Sequence, residues 1–162
     1  RFPAAQPVRT DLNAVVRNGL AVFDGRLEGI RVNLALGELP AVNIDPEQIK
    51  RVVVNLVDNA AEAMQESLQK ELTITTRAAG DDTVELIVAD SGHGVSPDDR
   101  EKLFLPYFST KARGTGLGLA IVNHILSEHH ASIRVEHNRP LGARFVVELP
   151  AAGALEAVEA KV

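Results

Sequence analysis

"DPEQIKRVVVNLVDNAAEAMQES", residues 45–67, is the stretch whose reading decides the fold. Asp45 followed by Pro46 and Glu47 is a helix start: the carboxylate can accept from free backbone N–H groups, and proline suits the first turn. At about 100° per residue, Ile49, Val52, Val53, Leu56, Val57, Ala60 and Met64 fall on one broad apolar face. The pattern predicts a helix from Asp45 to about Ser67. Opposite runs a polar stripe of Gln48, Arg51, Asn55, Asp58, Asn59 and Glu62. Such a stripe is ordinarily a solvated face. Asparagine, however, is a poor helix former, because its side chain competes for backbone hydrogen bonds. Asn55 and Asn59 stand one turn apart, so their amides point the same way. Neutral oxygen donors at that spacing also suit a hard cation such as Mg²⁺, which keeps waters and phosphate oxygens as its other ligands.

Working outward, "RFPAAQPVR" (1–9) has two prolines and little pattern, and reads as a linker. "DLNAVVRNGLAVF" reads as a helix capped by Thr10 or Asp11 and broken by Gly25 and Gly29. "IRVNLAL" (30–36) alternates as a half-buried strand does. Downstream, "ELTITTRA" (71–78) and "TVELIVAD" (83–90) form a hairpin around "AGDD". A glycine-rich loop "SGHGVSPDD", a short helix "PDDREKLF" and a loop "LPYFSTKARGTG" follow. "LGLAIVNHILSEHH" (117–130) reads as a second long helix, and "SIRVEHN" and "ARFVVELP" as two more strands. Residues 10–150 then make one domain, with an Ala/Glu-rich tail at 151–162. The fold class expected is α/β (α+β): a two-layer sandwich with a mixed sheet and helices on one face.

Composition excludes several classes. The 162 residues carry a formal charge of −5 and are 45% hydrophobic, which fits one domain with a real core. There is no cysteine, hence no disulfide framework and no thiolate metal site. The acidic balance, five Phe, one Tyr and no Trp argue against a nucleic-acid binder. No apolar run approaches the ~20 residues needed to span a bilayer.

Two further motifs carry chemistry. In "VELIVADSGHGV", Asp90 ends an alternating strand, and Gly92 and Gly94 let the backbone turn sharply or approach a ligand closely. An Asp-Ser-Gly strand end is an ordinary turn. It is equally a carboxylate that could accept from an exocyclic amine such as that of adenine. In "STKARGTGLGLAIV" (109–122), Gly114, Gly116 and Gly118 lead into a helix. The stretch is neither a P-loop nor the dinucleotide fingerprint. The free N–H groups and positive dipole end at a helix start favour phosphate, and Lys111 and Arg113 add positive charge just upstream. None of the five histidines forms a metal-ligand pattern, and solvated or packed histidine is the reading for each. Phe104 and Phe108 read as loop anchors in the core.

Taken in order, "NLVDNAAEAM" (55–64), "DSGHG" (90–94), "LFLPYFSTK" (103–111) and "GTGLGLAIV" (114–122) resemble the ATP-binding domain of sensor histidine kinases. That domain has the Bergerat fold, shared with DNA gyrase and MutL. The resemblance covers roughly residues 10–150. The short lid and the forms "NAAEAM" and "YFSTKARGTGLGLAIV" look most like the nitrogen-regulation and C4-dicarboxylate sensor kinases, of the NtrY type. By this resemblance, Asn59 holds a Mg²⁺ ion bridging the triphosphate of ATP, and Asn55 is its neighbour one turn earlier. Asp90 reads the adenine amino group. Gly92, Gly94 and Val95 line the loop near the base. Lys111, Arg113 and Thr115 belong to a lid beside the phosphates. Gly114, Gly116 and Gly118, with Leu117 and Leu119, form the lid hinge and helix start. The catalytic set implied is Asn55, Asn59, Lys111 and Arg113.

The resemblance implies a protein-histidine kinase that passes the γ-phosphoryl group of ATP to a histidine, for relay to the receiver domain of a response regulator. In the hydrolytic relatives a Glu one turn before the metal Asn is the general base for water. Here that position is Asn55, which cannot take a proton, so a self-contained ATPase is disfavoured. No phosphoacceptor motif of the "H-E-[LIV]-[RK]-N-P" kind is present, so the acceptor histidine is expected on a dimerisation domain upstream of residues 1–9. The implied state is a monomeric fragment of a homodimeric protein. It acts in the cytoplasm without touching membrane or nucleic acid, whether or not its parent is anchored in the inner membrane. Arg144 stands where many relatives carry a small hydroxyl residue near the adenine.

Overall fold

The computed structural model describes residues 3–106, 108 and 118–153. In chain order the elements are β1 (Val8–Thr10), α1 (Leu12–Ala21), β2 (Arg31–Leu36), β3 (Val42–Ile44), α2 (Pro46–Ala63), β4 (Glu71–Ala78), β5 (Thr83–Asp90), α3 (Pro97–Arg100), α4 (Gly118–Glu128), β6 (Ser132–His137) and β7 (Ala143–Pro150). Five strands form one mixed sheet in the order β2-β4-β5-β7-β6, in which only the β2–β4 pair is parallel. This is the mixed sheet that the sequence predicts.

Alternation sorts the strands into two faces. Leu72, Ile74 and Thr76 on β4, Val84, Leu86 and Val88 on β5, and Phe145, Val147 and Leu149 on β7 are buried. All but Thr76 join one core cluster with Ile49, Val52, Val53, Leu56, Val57 and Ala60 of α2 and Val122, Ile125 and Leu126 of α4. Every apolar position predicted on α2 is therefore in the core, Met64 just beyond its end included. Phe104 also fills its predicted role, meeting Phe145 edge to face at 6.4 Å.

The second sheet face carries charge. Arg77 Nε donates to Glu85 at 2.6 Å, and Arg134 bridges Glu136 at 2.9 Å and Glu148 at 2.6 Å. The hydrogen bond from Arg134 is the largest cause holding the Glu136 carboxyl below its ordinary value of 4.5.

Several boundaries differ from those expected. The last two residues of the expected linker, Val8 and Arg9, join Thr10 in a strand that pairs antiparallel with Val42–Ile44 as a separate two-stranded sheet. α2 stops at Ala63, short of Ser67, because the Ala63 carbonyl accepts the N–H of His93 at 3.3 Å. The short third helix covers only Pro97–Arg100. β2 is an edge strand, so its apolar residues Val32 and Leu34 stay 37% and 47% exposed in place of the half-burial its alternation suggests.

Candidate functional site

Asp45 starts the helix that carries the two asparagines. Its Oδ1 accepts from Glu47 N at 3.1 Å and Gln48 N at 3.2 Å, the cap that the sequence predicts. Its Oδ2 accepts from Gln6 N at 3.0 Å, so the entering chain is fastened to the same residue. Three turns on, Asn55 and Asn59 stand on the half-buried flank of α2. The Asn55 amide donates to the Gly118 carbonyl at 3.2 Å, which brings the start of α4 against the predicted site.

Asp90 ends β5 and is 1% exposed. Its carboxylate is oriented by main chain: Oδ1 accepts from Gly92 N at 2.8 Å and Ala143 N at 3.3 Å. Its own carbonyl accepts from Asn138 Nδ2 at 2.7 Å. Two glycines make this crowding possible. A Cβ on Gly142 would overlap the Asp90 carbonyl oxygen, and Gly142 has φ 104°, a left-handed value that side chains rarely adopt. A Cβ on Gly92 would overlap the Ala63 carbonyl oxygen.

The loop after β5 is thus pressed onto the end of α2. Ser91 completes the junction. Its hydroxyl donates to Gln69 O at 2.9 Å and accepts from Glu71 N at 2.9 Å. The turn that follows Asp90 is accordingly packed on the C-terminal end of α2, the helix that carries both asparagines. Val95 leaves this turn partly buried against the core.

The structure brings together Asn55, Gly118 and Leu119 at one end, and Asp90, Gly92, Gly94 and Val95 at the other, with Asn59 on the helix that joins them. Lys111, Arg113, Gly114, Thr115, Gly116 and Leu117 lie outside the described residues. At Gly118, described atoms leave open space for a Cβ, so its glycine answers no close contact among them. Arg144 belongs elsewhere. It alternates with the core-facing Ala143 and Phe145, reaches Glu136 at 3.6 Å, and lines a groove of about 330 Å³ on the second sheet face with Thr73, Thr75 and Arg77. That places it across the sheet from the Asp90 carboxylate.

Sequence reasoning passed over two partners of the site. Asn138 reads as the end of the strand "SIRVEHN" and Gly142 as an ordinary turn residue, and only the fold shows them holding Asp90. Among the described residues no group of three or more His, Cys, Asp or Glu side chains could hold a metal ion. A cation held by an asparagine and phosphate oxygens requires no such group.

The family model described as "Histidine kinase-, DNA gyrase B-, and HSP90-like ATPase" matches residues 44–153, from the end of β3 through β7. The chain belongs to this family. Within the family of histidine kinase-like ATPases, the chain is similar to the sensor histidine kinase ZraS of Klebsiella oxytoca, with 37% identity over 88% of this chain and 31% of that protein. It spans about a third of the length of the ZraS proteins that it matches. Among solved structures it resembles the catalytic domain of histidine kinase ThkA, at 33% identity and TM-score 0.78, covering 90% of this chain and 95% of that one. It also resembles ThkA in complex with the response regulator protein TrrA, at 29% identity and TM-score 0.76, covering 91% of this chain and 42% of that one. The histidine kinase-like ATPase fold is therefore present almost entire. The matched region is the part that the solved ThkA chain presents as the catalytic domain of a histidine kinase. No helix among the described residues is long and apolar enough to cross a membrane.

Proposed function

We propose that this domain binds ATP between Asp90 and the start of α4 and presents the γ-phosphoryl group to a histidine on a separate dimerisation domain of the same protein. The observation that carries the reading is Asp90: a buried carboxylate at a strand end, aimed by two backbone N–H groups. A carboxylate accepts and does not donate, so it selects an exocyclic amine such as that of adenine. Gly92, Gly94 and Val95 then lie beside the base.

Asn59, one turn before the end of α2, is the residue we assign to Mg²⁺, through its neutral amide oxygen. When bound, the ion neutralises charge developing on the phosphates. Lys111, Arg113, Gly114, Thr115, Gly116 and Leu117, with Gly118 and Leu119, are assigned to the phosphate side. The free N–H groups at the start of α4 suit negative charge. Asn55 cannot act as a base, so water is poorly activated and phosphoryl transfer to a partner is favoured over hydrolysis. The partners proposed are the dimerisation domain, the receiver domain of a response regulator, and a second copy of the parent in a homodimer. Neither nucleic acid nor membrane is a partner of this domain. The nitrogen-regulation subtype rests only on the motif forms "NAAEAM" and "YFSTKARGTGLGLAIV"; the similarity to ZraS and ThkA supports a sensor kinase without that subtype.

The test is titration of a fluorescent ATP analogue, with and without Mg²⁺, on the wild type and Asn59→Ala, followed by incubation with a supplied acceptor-helix domain. Mg²⁺-dependent binding that Asn59→Ala weakens, with phosphorylation of the acceptor and little hydrolysis, is expected. No binding by the wild type rejects the reading, and brisk hydrolysis by this domain alone replaces it with a self-contained ATPase.

A further inference from the structure

We propose that His129 is a positioning residue for the nucleotide site. It sets where the start of α4 stands along the Asn55–Asn59 flank of α2. The proposal rests on the phosphate assignment above.

His129 follows the last turn of α4 and is 2% exposed. Both ring nitrogens are engaged. Nδ1 lies 2.7 Å from the Ile125 carbonyl oxygen, which only accepts, so Nδ1 carries the proton. Nε2 is then the acceptor, and it takes the backbone N–H of Asp45 at 3.0 Å. The neutral ring with the proton on Nδ1 is the one form that satisfies both contacts. Asp45 thus starts α2 with its side chain and holds the end of α4 with its main chain.

At the other end, Asn55 Nδ2 donates to the carbonyl of Gly118, the first residue of α4. Asp45 pairs with the end of α4, and Asn55 with its beginning, so the two helices run antiparallel. At a rise of 1.5 Å per residue, the ties are about 15 Å apart along α2 and about 16 Å apart along α4. They close the two ends of a single helix–helix contact. Between them the interface is apolar, with Val52 and Leu56 of α2 in the same buried cluster as Val122, Ile125 and Leu126 of α4. Apolar burial resists separation but is not directional. The two hydrogen-bonded ties are directional contacts at the ends of this interface, and they restrain how far one helix slides along the other. Asn59 is one turn beyond Asn55. A slide of α4 therefore changes the spacing between Asn59 and Gly118–Leu119, the two sides proposed to meet the triphosphate. The adenine corner at Asp90, tied to the end of α2 and to β7, is left in place.

The experiment compares the wild type, His129→Leu and His129→Gln for affinity to a Mg²⁺-ATP analogue and to adenosine, with thermal unfolding and ¹⁵N NMR of the imidazole. The wild type should show the neutral tautomer with the proton on Nδ1. His129→Leu should lose about five- to tenfold in ATP-analogue affinity, the worth of one hydrogen bond, while adenosine binding stays within about twofold. His129→Gln, whose Oε1 can accept the Asp45 N–H, should recover part of the loss. A lower melting temperature with unchanged ATP affinity would overturn the proposal, as would equal losses for ATP and adenosine. Should His129→Leu fail to fold, the Gln variant and the tautomer decide: a proton on Nε2 of the neutral ring refutes the tie. If the wild type binds no ATP analogue, the functional reading fails instead, and the tautomer still reports on the tie.

Discussion

Gly142 lies so close to the carbonyl of Asp90 that a single added methyl group would overlap its oxygen. The β6–β7 turn is thereby pressed onto the end of β5. The next residue, Ala143, supplies one of the two N–H groups that aim the Asp90 carboxylate. Backbone proximity here serves the site directly, and it makes position 142 a sensitive probe.

Gly142→Ala should cost about 2–4 kcal/mol of stability, combining the overlap with an unfavourable φ. Nucleotide affinity should fall with it, because Ala143 N is displaced from Asp90. Urea unfolding and analogue titration measure the two effects. A loss below about 0.5 kcal/mol, the range of a neutral surface change, would mean that the turn shifts freely.

Asp90→Asn separates fold from function. The Asn Oδ1 can keep both backbone hydrogen bonds, so the melting temperature should change little. The second carboxylate oxygen is replaced by a donor, and ATP affinity should fall by about 1–3 kcal/mol. Calorimetric titration beside a melting curve reads both. Unchanged affinity removes Asp90 from adenine recognition.

His130 closes α4 with φ 56°, and Ala131 N returns to Leu126 O at 2.9 Å. This is the left-handed helix ending that glycine favours. His130→Gly should stabilise the domain by about 0.5–1 kcal/mol, seen as a higher urea midpoint at unchanged slope. A destabilised variant would show that the His130 side chain has contacts of its own.

Glu136 gives a pH dependence of defined sign. Its carboxyl is lowered from 4.5, chiefly by the hydrogen bond from Arg134. The stabilisation is complete above pH 4.5 and is lost as pH falls through the lower folded value. Because the pair is largely solvated, the effect should stay below about 1 kcal/mol. Stability of Glu136→Gln followed from neutral pH to acid should decline less steeply than that of the wild type. Parallel declines would show that Glu136 is not the group titrating.

The long elements were legible because their periodicity is long. Seven apolar positions on the α2 pattern identify its buried face, and Asp45-Pro46 marks its start. β1 and β3 were not, since three residues leave no period to read. The end of α2 was misplaced because a tertiary contact, His93 N on Ala63 O, takes the carbonyl that a further turn would use. Asp90 was visible as a strand-end carboxylate. Asn138 and Gly142, which hold it, come from a turn some fifty residues later in the chain. His129 illustrates the limit most clearly. One-dimensional pattern leaves a lone histidine near a helix end as packed or solvated, and only the antiparallel docking of α4 on α2 shows which backbone N–H its ring accepts.

β5, which ends in Asp90, is paired along both edges, with β4 on one side and β7 on the other. Its amide hydrogens should therefore exchange with solvent only when the whole domain opens, whereas those of the edge strand β2 exchange through local fraying. Proton-exchange protection thus divides the proposed site. β5, which carries the carboxylate proposed to read the base, is as long-lived as the fold itself, and bound nucleotide should slow exchange there only by making global unfolding less favourable. At the start of α4, whose first N–H groups have no partner within the helix, the same ligand should slow exchange directly.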